Sequence, residues 1–200
     1  AFSLVNKELI KSAGSEELIS VFDPTFIKKS GKHTPHVGFH WSSVSGKAMR
    51  GLEFGCLGVV DVRQRTAYSL ACEQTPSTAL KQKGDETLID HYLKVVLSHS
   101  NELSELGIRY HVVDGYFGKE KYVTGILENS QMQVIGRLRQ DANLKYNFTG
   151  KQKPGRGRKR KYDGKVDLEY IDRRRLRYSF DAGDCCCFSG EVYSVGLKRL

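Results

Sequence analysis

The alternation of apolar and polar residues between residues 17 and 75 predicts a run of β-strands. The stretch ELISVFDPTFI, which begins at Glu17, is short, apolar and flanked by polar turn residues, as expected of a buried strand. We expect this strand to end near Asp23. Three further stretches, beginning at His36, Arg50 and Thr66, are separated by glycine and by the polar turn DVRQR. Together they predict an antiparallel meander.

Apolar residues three or four positions apart predict a long helix after these strands. The segment runs from Lys81 to Gly107, and we expect Asp85 to cap its start and Gly107 to end it. The residues of the apolar stripe are Leu88, Tyr92, Val95, Val96, His99, Leu103 and Leu106.

Shorter elements follow the long helix. The stretch IRYHVV predicts a strand that ends at Asp114, KEKYVTGILENS predicts a second helix, and MQVIGRL predicts another strand. Strands followed by helix, strand, helix and strand predict an α/β fold, a mixed sheet with flanking helices. This is the order of a ribonuclease H-like fold.

The pattern changes after Arg139 to polar residues, a basic block and two alternating stretches. The stretches VDLEY and LRYSF predict a β-hairpin closed around IDRRR, which we interpret as part of an insertion into the fold. The predicted organisation is a linker, or the end of a preceding region, over residues 1–16. An incomplete ribonuclease H-like core covers residues 17–145, and a truncated, basic, β-rich insertion covers residues 146–200.

Composition indicates an intracellular globular protein. The chain is 39% hydrophobic and 28% charged, and it has no apolar run long enough for a membrane span. Of its five cysteines, three are consecutive at positions 185–187. This spacing suits neither a disulfide framework nor a zinc site, so we expect reduced thiols.

A formal net charge of +9 indicates an anionic partner. The densest basic block is KQKPGRGRKRK, Lys151 to Lys161, here called the basic loop because its Gly and Pro residues disfavour a helix. Cations in an exposed loop can follow a phosphate backbone, so nucleic acid is the predicted partner. A solvated loop without a ligand is the alternative. The candidate DNA-binding residues of the loop are Arg156, Arg158, Lys159, Arg160 and Lys161.

Two acids are placed where a metal site could form. Asp23 and Asp114 each follow an apolar strand, and in a sheet of this order the two strands are neighbours. Paired carboxylates hold Mg²⁺ together with waters and substrate phosphates, and such ions support phosphodiester chemistry. The pair therefore predicts phosphoryl transfer on a nucleic acid. The alternative is that each Asp only forms a turn, before Pro24 and Gly115.

Three motifs resemble those of DDE-type transposases of bacterial insertion sequences, the cut-and-paste family. FDPTFIKKSGKHT resembles the segment around that family's first aspartate, and VVDGYFGKEKYV resembles the segment around the second. VIGRLRQDANL resembles the strand and arginine-rich segment that follows. The resemblance covers about residues 17 to 145 with matching order and spacing.

The resemblance implies a DNA transposase in which Asp23 and Asp114 are catalytic and bind Mg²⁺ or Mn²⁺. It implies transposon ends and target DNA as partners, a homo-oligomer when full length, and a cytoplasmic, nucleoid-associated location. The family's third acid is a Glu in a pattern like Tyr-x-x-Arg-Trp-x-Ile-Glu, and no segment of this chain matches it. Glu169 and Glu191 are poor substitutes, because they fall on predicted insertion strands. We therefore expect this stretch alone to be inactive.

Alternatives stay open for other residues and for the function. Lys28 and Lys32 could hold DNA phosphates or only solvate a loop, and KKSGKHT lacks the spacing of a phosphate-binding P-loop. His33, His36 and His40 could bind zinc, but alternation on a strand is the simpler interpretation. A ribonuclease H-like nuclease that does not join strands, and a noncatalytic DNA-binding remnant, are the alternative functions.

Overall fold

The computed structural model describes residues 2–14, 17–31, 33–42, 44–76, 86–139 and 141–199. The chain divides into two compact units, residues 1–137 and residues 138–200. The first unit contains the helices α1 (Phe2–Ser12), α2 (Leu88–Ser98), α3 (Ser100–Glu105) and α4 (Glu120–Asn129). Its strands are β1 (Leu18–Lys28), β2 (Gly38–Ser42), β3 (Lys47–Asp61), β4 (Thr66–Gln74), β5 (Tyr110–Val113) and β6 (Gln133–Gly136).

The first unit is built on one mixed sheet. Strands β2, β3, β1, β5 and β6 are neighbours in that order, and β4 also pairs with β3. The pairs that involve β3 are antiparallel, whereas β1, β5 and β6 run parallel to one another. The predicted α/β fold, a mixed sheet with flanking helices of the ribonuclease H-like type, is confirmed.

Strand β1 does not end near Asp23, as the sequence pattern predicted, but continues to Lys28. The reason is its long antiparallel pairing with β3, which runs without a break from Leu18 with Asp61 to Lys28 with Gly51. Pro24 lies inside this strand, opposite Gly55.

The helices bury one face of the sheet. The core contains Phe22 of β1, Leu57 and Val59 of β3, and a set of aromatic side chains from the helical segments. Ile10 of α1 is 1% exposed and belongs to this core. Residues 2–12, which we predicted to be a linker or the end of a preceding region, form a helix that buries an apolar side chain in this core. The aromatic residues of the core include Tyr92, Phe117 and Tyr122.

The long predicted helix is two helices within the described residues. Asp85 lies outside the described residues, and Thr87 caps α2 in a capping box with Asp90. His99 adopts a non-helical conformation between α2 and α3. Gly107, with φ of 70°, follows α3 in the left-handed conformation that favours glycine, as predicted.

The second unit contains short strands around a small core. The strands are β7 (Leu144–Asn147), β8 (Tyr162–Lys165), β9 (Arg177–Ala182), β10 (Cys185–Ser189) and β11 (Val192–Ser194). Sheet order is β11, β7, β8, with β9 and β10 paired separately. The predicted boundary between residues 145 and 146 falls inside β7, and the whole of that strand belongs to this unit.

The hairpin of the second unit is not the one predicted from VDLEY and LRYSF. Strands β9 and β10 pair instead, through a turn at Gly183, whose φ is 59°. Glycine adopts this conformation without steric cost. The IDRRR segment instead forms a short 3-10 turn at Arg173–Arg175, capped by Asp172.

Candidate active site

Asp23 and Asp114 lie at matching positions of two parallel neighbouring strands. Strands β1 and β5 pair Ser20 with His111 and Val21 with Val112. The same register continued by two residues brings Asp23 level with Asp114. Both aspartates are exposed, whereas Phe22 and Val113, which precede them, are buried. Because side chains alternate along a strand, Asp23 faces away from the helix-covered core.

The surroundings of Asp23 disfavour its charged form. Partial burial, and then the negative charge of Asp114, raise the pKa of Asp23 above its usual value. Asp114 caps the 3-10 turn at Gly115–Phe117, since its Oδ1 accepts a hydrogen bond from the Tyr116 amide at 2.9 Å. That bond fixes the direction of the Asp114 side chain. A divalent cation would relieve the repulsion that raises the pKa of Asp23.

A buried polar contact aligns the strands beneath the two acids. His111 is fully buried, and its Nδ1 lies 2.7 Å from Ser20 Oγ on the neighbouring strand. On the other side, His111 Nε2 lies 2.9 Å from the hydroxyl of Tyr122 in α4. Each of Ser20 and His111 is three residues before an aspartate. The cluster therefore ties β1, β5 and α4 together directly under the candidate site.

Two thiols continue the row that begins with the acids. Cys56 of β3 pairs with Asp23 on one side and with Cys72 of β4 on the other. The Sγ atoms of Cys56 and Cys72 are 3.4 Å apart. Burial, the neighbouring thiol of Cys72 and the charge of Asp23 raise the pKa of Cys56 to about 11. Both cysteines are free thiols, as predicted.

Sequence reasoning missed a buried carboxylate on the core side of the same sheet. Glu53 of β3 is 8% exposed. Its Oε1 accepts hydrogen bonds from Tyr92 at 2.5 Å and Thr75 at 2.9 Å, and its Oε2 lies 3.6 Å from His40 Nδ1. Although burial opposes it, these partners lower the pKa of Glu53. The available signal was an acid at an inward position of an apolar strand.

The zinc alternative for the histidines finds no support in this arrangement. His40 is buried beside Glu53, whereas His33 and His36 are exposed. Over the described residues, no three His, Cys, Asp or Glu side chains are grouped closely enough to hold a metal ion. The carboxylate pair of Asp23 and Asp114 thus offers two ligands, and a hard cation such as Mg²⁺ fits them because it accepts water and phosphate oxygens as the others.

The candidate DNA-binding residues lie in two places. Lys28 is exposed at the end of β1, and Lys32 lies outside the described residues. In the second unit the basic loop is exposed throughout. Gln152 closes it, because its side chain bonds both the amide and the carbonyl of Arg160. Arg160 also forms an ion pair with Asp163 at 2.6 Å.

Arg160 therefore has a structural role in this loop. The other exposed candidates, here called the four loop cations, are Arg156, Arg158, Lys159 and Lys161. Glu169 and Glu191, the poor substitutes for a third acid, are both exposed in the second unit and lie outside its named strands.

The family model of a DDE superfamily endonuclease matches residues 3–174 of the chain. The chain belongs to this family. The resemblance to DDE-type transposases is thereby confirmed, and the family supports a nuclease-type enzyme with a DNA substrate. Enzymes of this type generally use divalent metals. No curated protein gives a significant match to the chain.

In the described part of the chain, no helix is long and apolar enough to cross a membrane.

Proposed function

We propose that this chain is the catalytic part of a DNA transposase of a bacterial insertion sequence, which cleaves DNA strands and transfers them to a target. The observation that carries the proposal is the parallel register of β1 and β5, which makes Asp23 level with Asp114. The raised pKa of Asp23, caused by partial burial and then by the charge of Asp114, supports a cation at this place. Mg²⁺ or Mn²⁺ is the proposed metal.

In this proposal Asp23 and Asp114 hold the metal at the exposed face of the sheet. When bound, the ions activate the attacking oxygen and stabilise the leaving oxygen of a phosphodiester. The Asp114 capping bond and the Ser20–His111 contact keep the two carboxylates in position before substrate arrives. Lys28 and the four loop cations hold phosphates of the bound DNA, while Lys32 belongs to the same proposal from its sequence position.

We also propose DNA partners and an oligomeric state for the full-length protein. The partners are the transposon ends and the target DNA, and the full-length protein works as a homo-oligomer in the cytoplasm, associated with the nucleoid. A third carboxylate is expected to complete the metal site. Because no segment of this chain matches the expected Glu motif, we propose that this stretch binds metal weakly and cuts DNA slowly or not at all.

Metal binding is the first test, because it does not depend on turnover. Calorimetric titration with Mn²⁺ should show binding that Asp23→Asn and Asp114→Asn each weaken by about tenfold or more, since loss of groups even outside the ligand shell costs that much. Asp184→Asn removes an exposed acid from the second unit and should leave binding unchanged. Equal affinity in all four proteins would remove Asp23 and Asp114 from the site.

A DNA assay then separates the alternative functions. With Mn²⁺ and a labelled duplex, a transposase forms joined products in a target plasmid, whereas a simple nuclease leaves only cut ones. A noncatalytic DNA-binding remnant binds the duplex but forms neither product.

A further inference from the structure

Strand β2 has an inverted distribution of apolar and polar side chains. His40 and Ser42 face the core and are 1% and 5% exposed. Phe39 and Trp41 face outward and are 69% and 66% exposed. In an ordinary half-buried strand the apolar residues face inward, so the folded protein leaves its two largest side chains on this strand uncovered.

The core itself fixes this orientation. His40 packs beside Glu53, with Nδ1 3.6 Å from Oε2, and its ring lies 6.5 Å from that of Phe26. The antiparallel register pairs Phe39 with Arg50 and Trp41 with Ala48. A slip by one residue would bury the aromatic rings but expose His40. In the register of β2 with β3, His40 is buried and Phe39 and Trp41 face outward.

The two rings lie on the same sheet face as Asp23. Arg50, the partner of Phe39, and Cys56, the partner of Asp23, are an even number of residues apart on β3, so their side chains share a face. Standard strand spacings give a separation of about 20 Å between Asp23 and Phe39. That length corresponds to a few nucleotides of an extended strand running from the metal site.

The sequence on either side of Phe39 and Trp41 contains no acidic residue. Residues 24–52 include five Lys or Arg residues and no Asp or Glu. Arg50, the partner of Phe39, is exposed on the face of the rings, and its guanidinium donates a hydrogen bond to the Gly31 carbonyl at 2.8 Å. Exposed aromatic rings beside a cation match a polyanion that carries flat, apolar groups, because the bases stack while the phosphates are neutralised.

We propose that Phe39 and Trp41 form a stacking surface for unpaired nucleotides of the DNA substrate, with Arg50 neutralising an adjacent phosphate. The inference rests on the proposed function, since it assigns a segment of DNA to a face that begins at Asp23. It predicts that the protein prefers DNA with a single-stranded end over a fully paired duplex.

Trp41 supplies its own probe, because it is the single tryptophan of the chain. The protein is titrated in EDTA with two DNA molecules of equal duplex length, one blunt and one with a tail of about eight thymidines, within the range that such surfaces bind. The tailed DNA should quench Trp41 emission by base stacking, and the blunt duplex should leave it nearly unchanged. Because no metal is present, failure of cleavage chemistry cannot affect this result.

Substitutions separate stacking from apolar contact. Phe39→Leu keeps an apolar side chain but loses the flat ring, and should weaken binding of tailed DNA about tenfold while blunt duplex binding stays the same. Phe39→Tyr keeps the ring and should bind like the parent. Val44→Ala, at an exposed apolar residue in the turn after β2, is the matched control and should change neither affinity.

Each contrary outcome overturns the proposal. Equal quenching by blunt and tailed DNA, or an unchanged affinity of Phe39→Leu for tailed DNA, would show that unpaired bases do not stack here. A shift of Trp41 emission with protein concentration alone would show that a second copy of the chain covers the rings. If instead quenching and selectivity appear but Asp23→Asn retains Mn²⁺ binding, the stacking surface stands and the metal site fails.

Discussion

Acidification should destabilise the first unit through His111, the residue that aligns the two strands of the candidate site. Its ring is fully buried between Ser20 and Tyr122. Burial lowers the pKa of His111 to about 4 and raises the pKa of Tyr122, so both groups are neutral at pH 7. Protonating His111 in the folded state would place a charge where no opposite charge contacts it among the described residues.

The sign and size of this loss of stability follow from the linkage between proton binding and folding. In the unfolded chain the histidine pKa is about 6.5, so below that pH the unfolded state binds a proton that the folded state refuses. Stability from the neutral ring is thus fully present above pH 6.5 and falls as the pH drops toward 4. At 1.36 kcal/mol per pKa unit, the loss at pH 4 is about 3 kcal/mol.

Urea unfolding between pH 7.5 and 4 measures this loss, with the His111→Gln variant as reference. Other groups change stability with pH as well, including Glu53, whose pKa is lowered, but they remain in both proteins. On acidification, the free energy of unfolding of the parent should fall by about 3 kcal/mol relative to that of the variant. A difference that is constant with pH would refute the reasoning. So would an NMR titration in which His111 protonates near pH 6.5.

Three other predictions test separate parts of the structure. Diamide should join Cys56 to Cys72, whose Sγ atoms are 3.4 Å apart, in a variant with serine at positions 185–187. Absence of this link in peptide mass spectra would contradict the pairing of β3 with β4. Tyr92→Phe should reduce the free energy of unfolding by about 1 to 3 kcal/mol, because Glu53 loses a buried hydrogen-bond donor. A change much smaller than this, in urea unfolding at pH 7, would mean that solvent replaces the bond. Neutralising the four loop cations should reduce the slope of log affinity against log salt by about 3 to 4 for duplex DNA. An unchanged slope would exclude the loop from the interface.

The parts of the fold that sequence reasoning predicted are those with a regular period over many residues. The apolar stripe of α2 and α3 places Tyr92, Val95, Val96 and Leu103 in the core, as the spacing indicated. The break at His99 was not predicted, because His99 occupies a position of the same stripe and its change of conformation leaves the period intact. Local spacing does not encode that change.

Strand ends and pairing partners depend on residues far away in the chain. The end of β1 was placed too early because Pro24 reads as a strand terminator. In the structure the strand continues, since β3 supplies partners up to Gly51. The hairpin of the second unit was misplaced for a similar reason. Alternation in VDLEY was taken as a strand, whereas Val166 belongs to the small core instead and Gly183 provides the turn.

For the candidate site, the sequence identified the acids but not their support. Asp23 and Asp114 follow apolar runs that any strand prediction detects. Ser20, His111 and Tyr122 could not be recognised as a unit, because they come from three elements and meet only through the parallel register of β1 and β5. The inverted polarity of β2 could be read from its alternation only after the sheet had assigned His40 to the inside.

Strand β5 ends earlier than the neighbouring β1, which leaves β1 without a parallel partner beyond the level of Asp114. In the described part of the chain, β5 pairs with β1 at Ser20 and Val21, and after Asp114 it turns into the 3-10 segment. Strand β1 continues to Lys28 with β3 on its other side. Asp23 thus lies inside a strand rather than at a frayed end. The parallel neighbour β5 ends at Val113, just before the level of Asp23. Parallel strands leave a crevice at their carboxyl ends where ligands bind, and a scaffold of this kind holds a ligand carboxylate in place without closing the site to DNA.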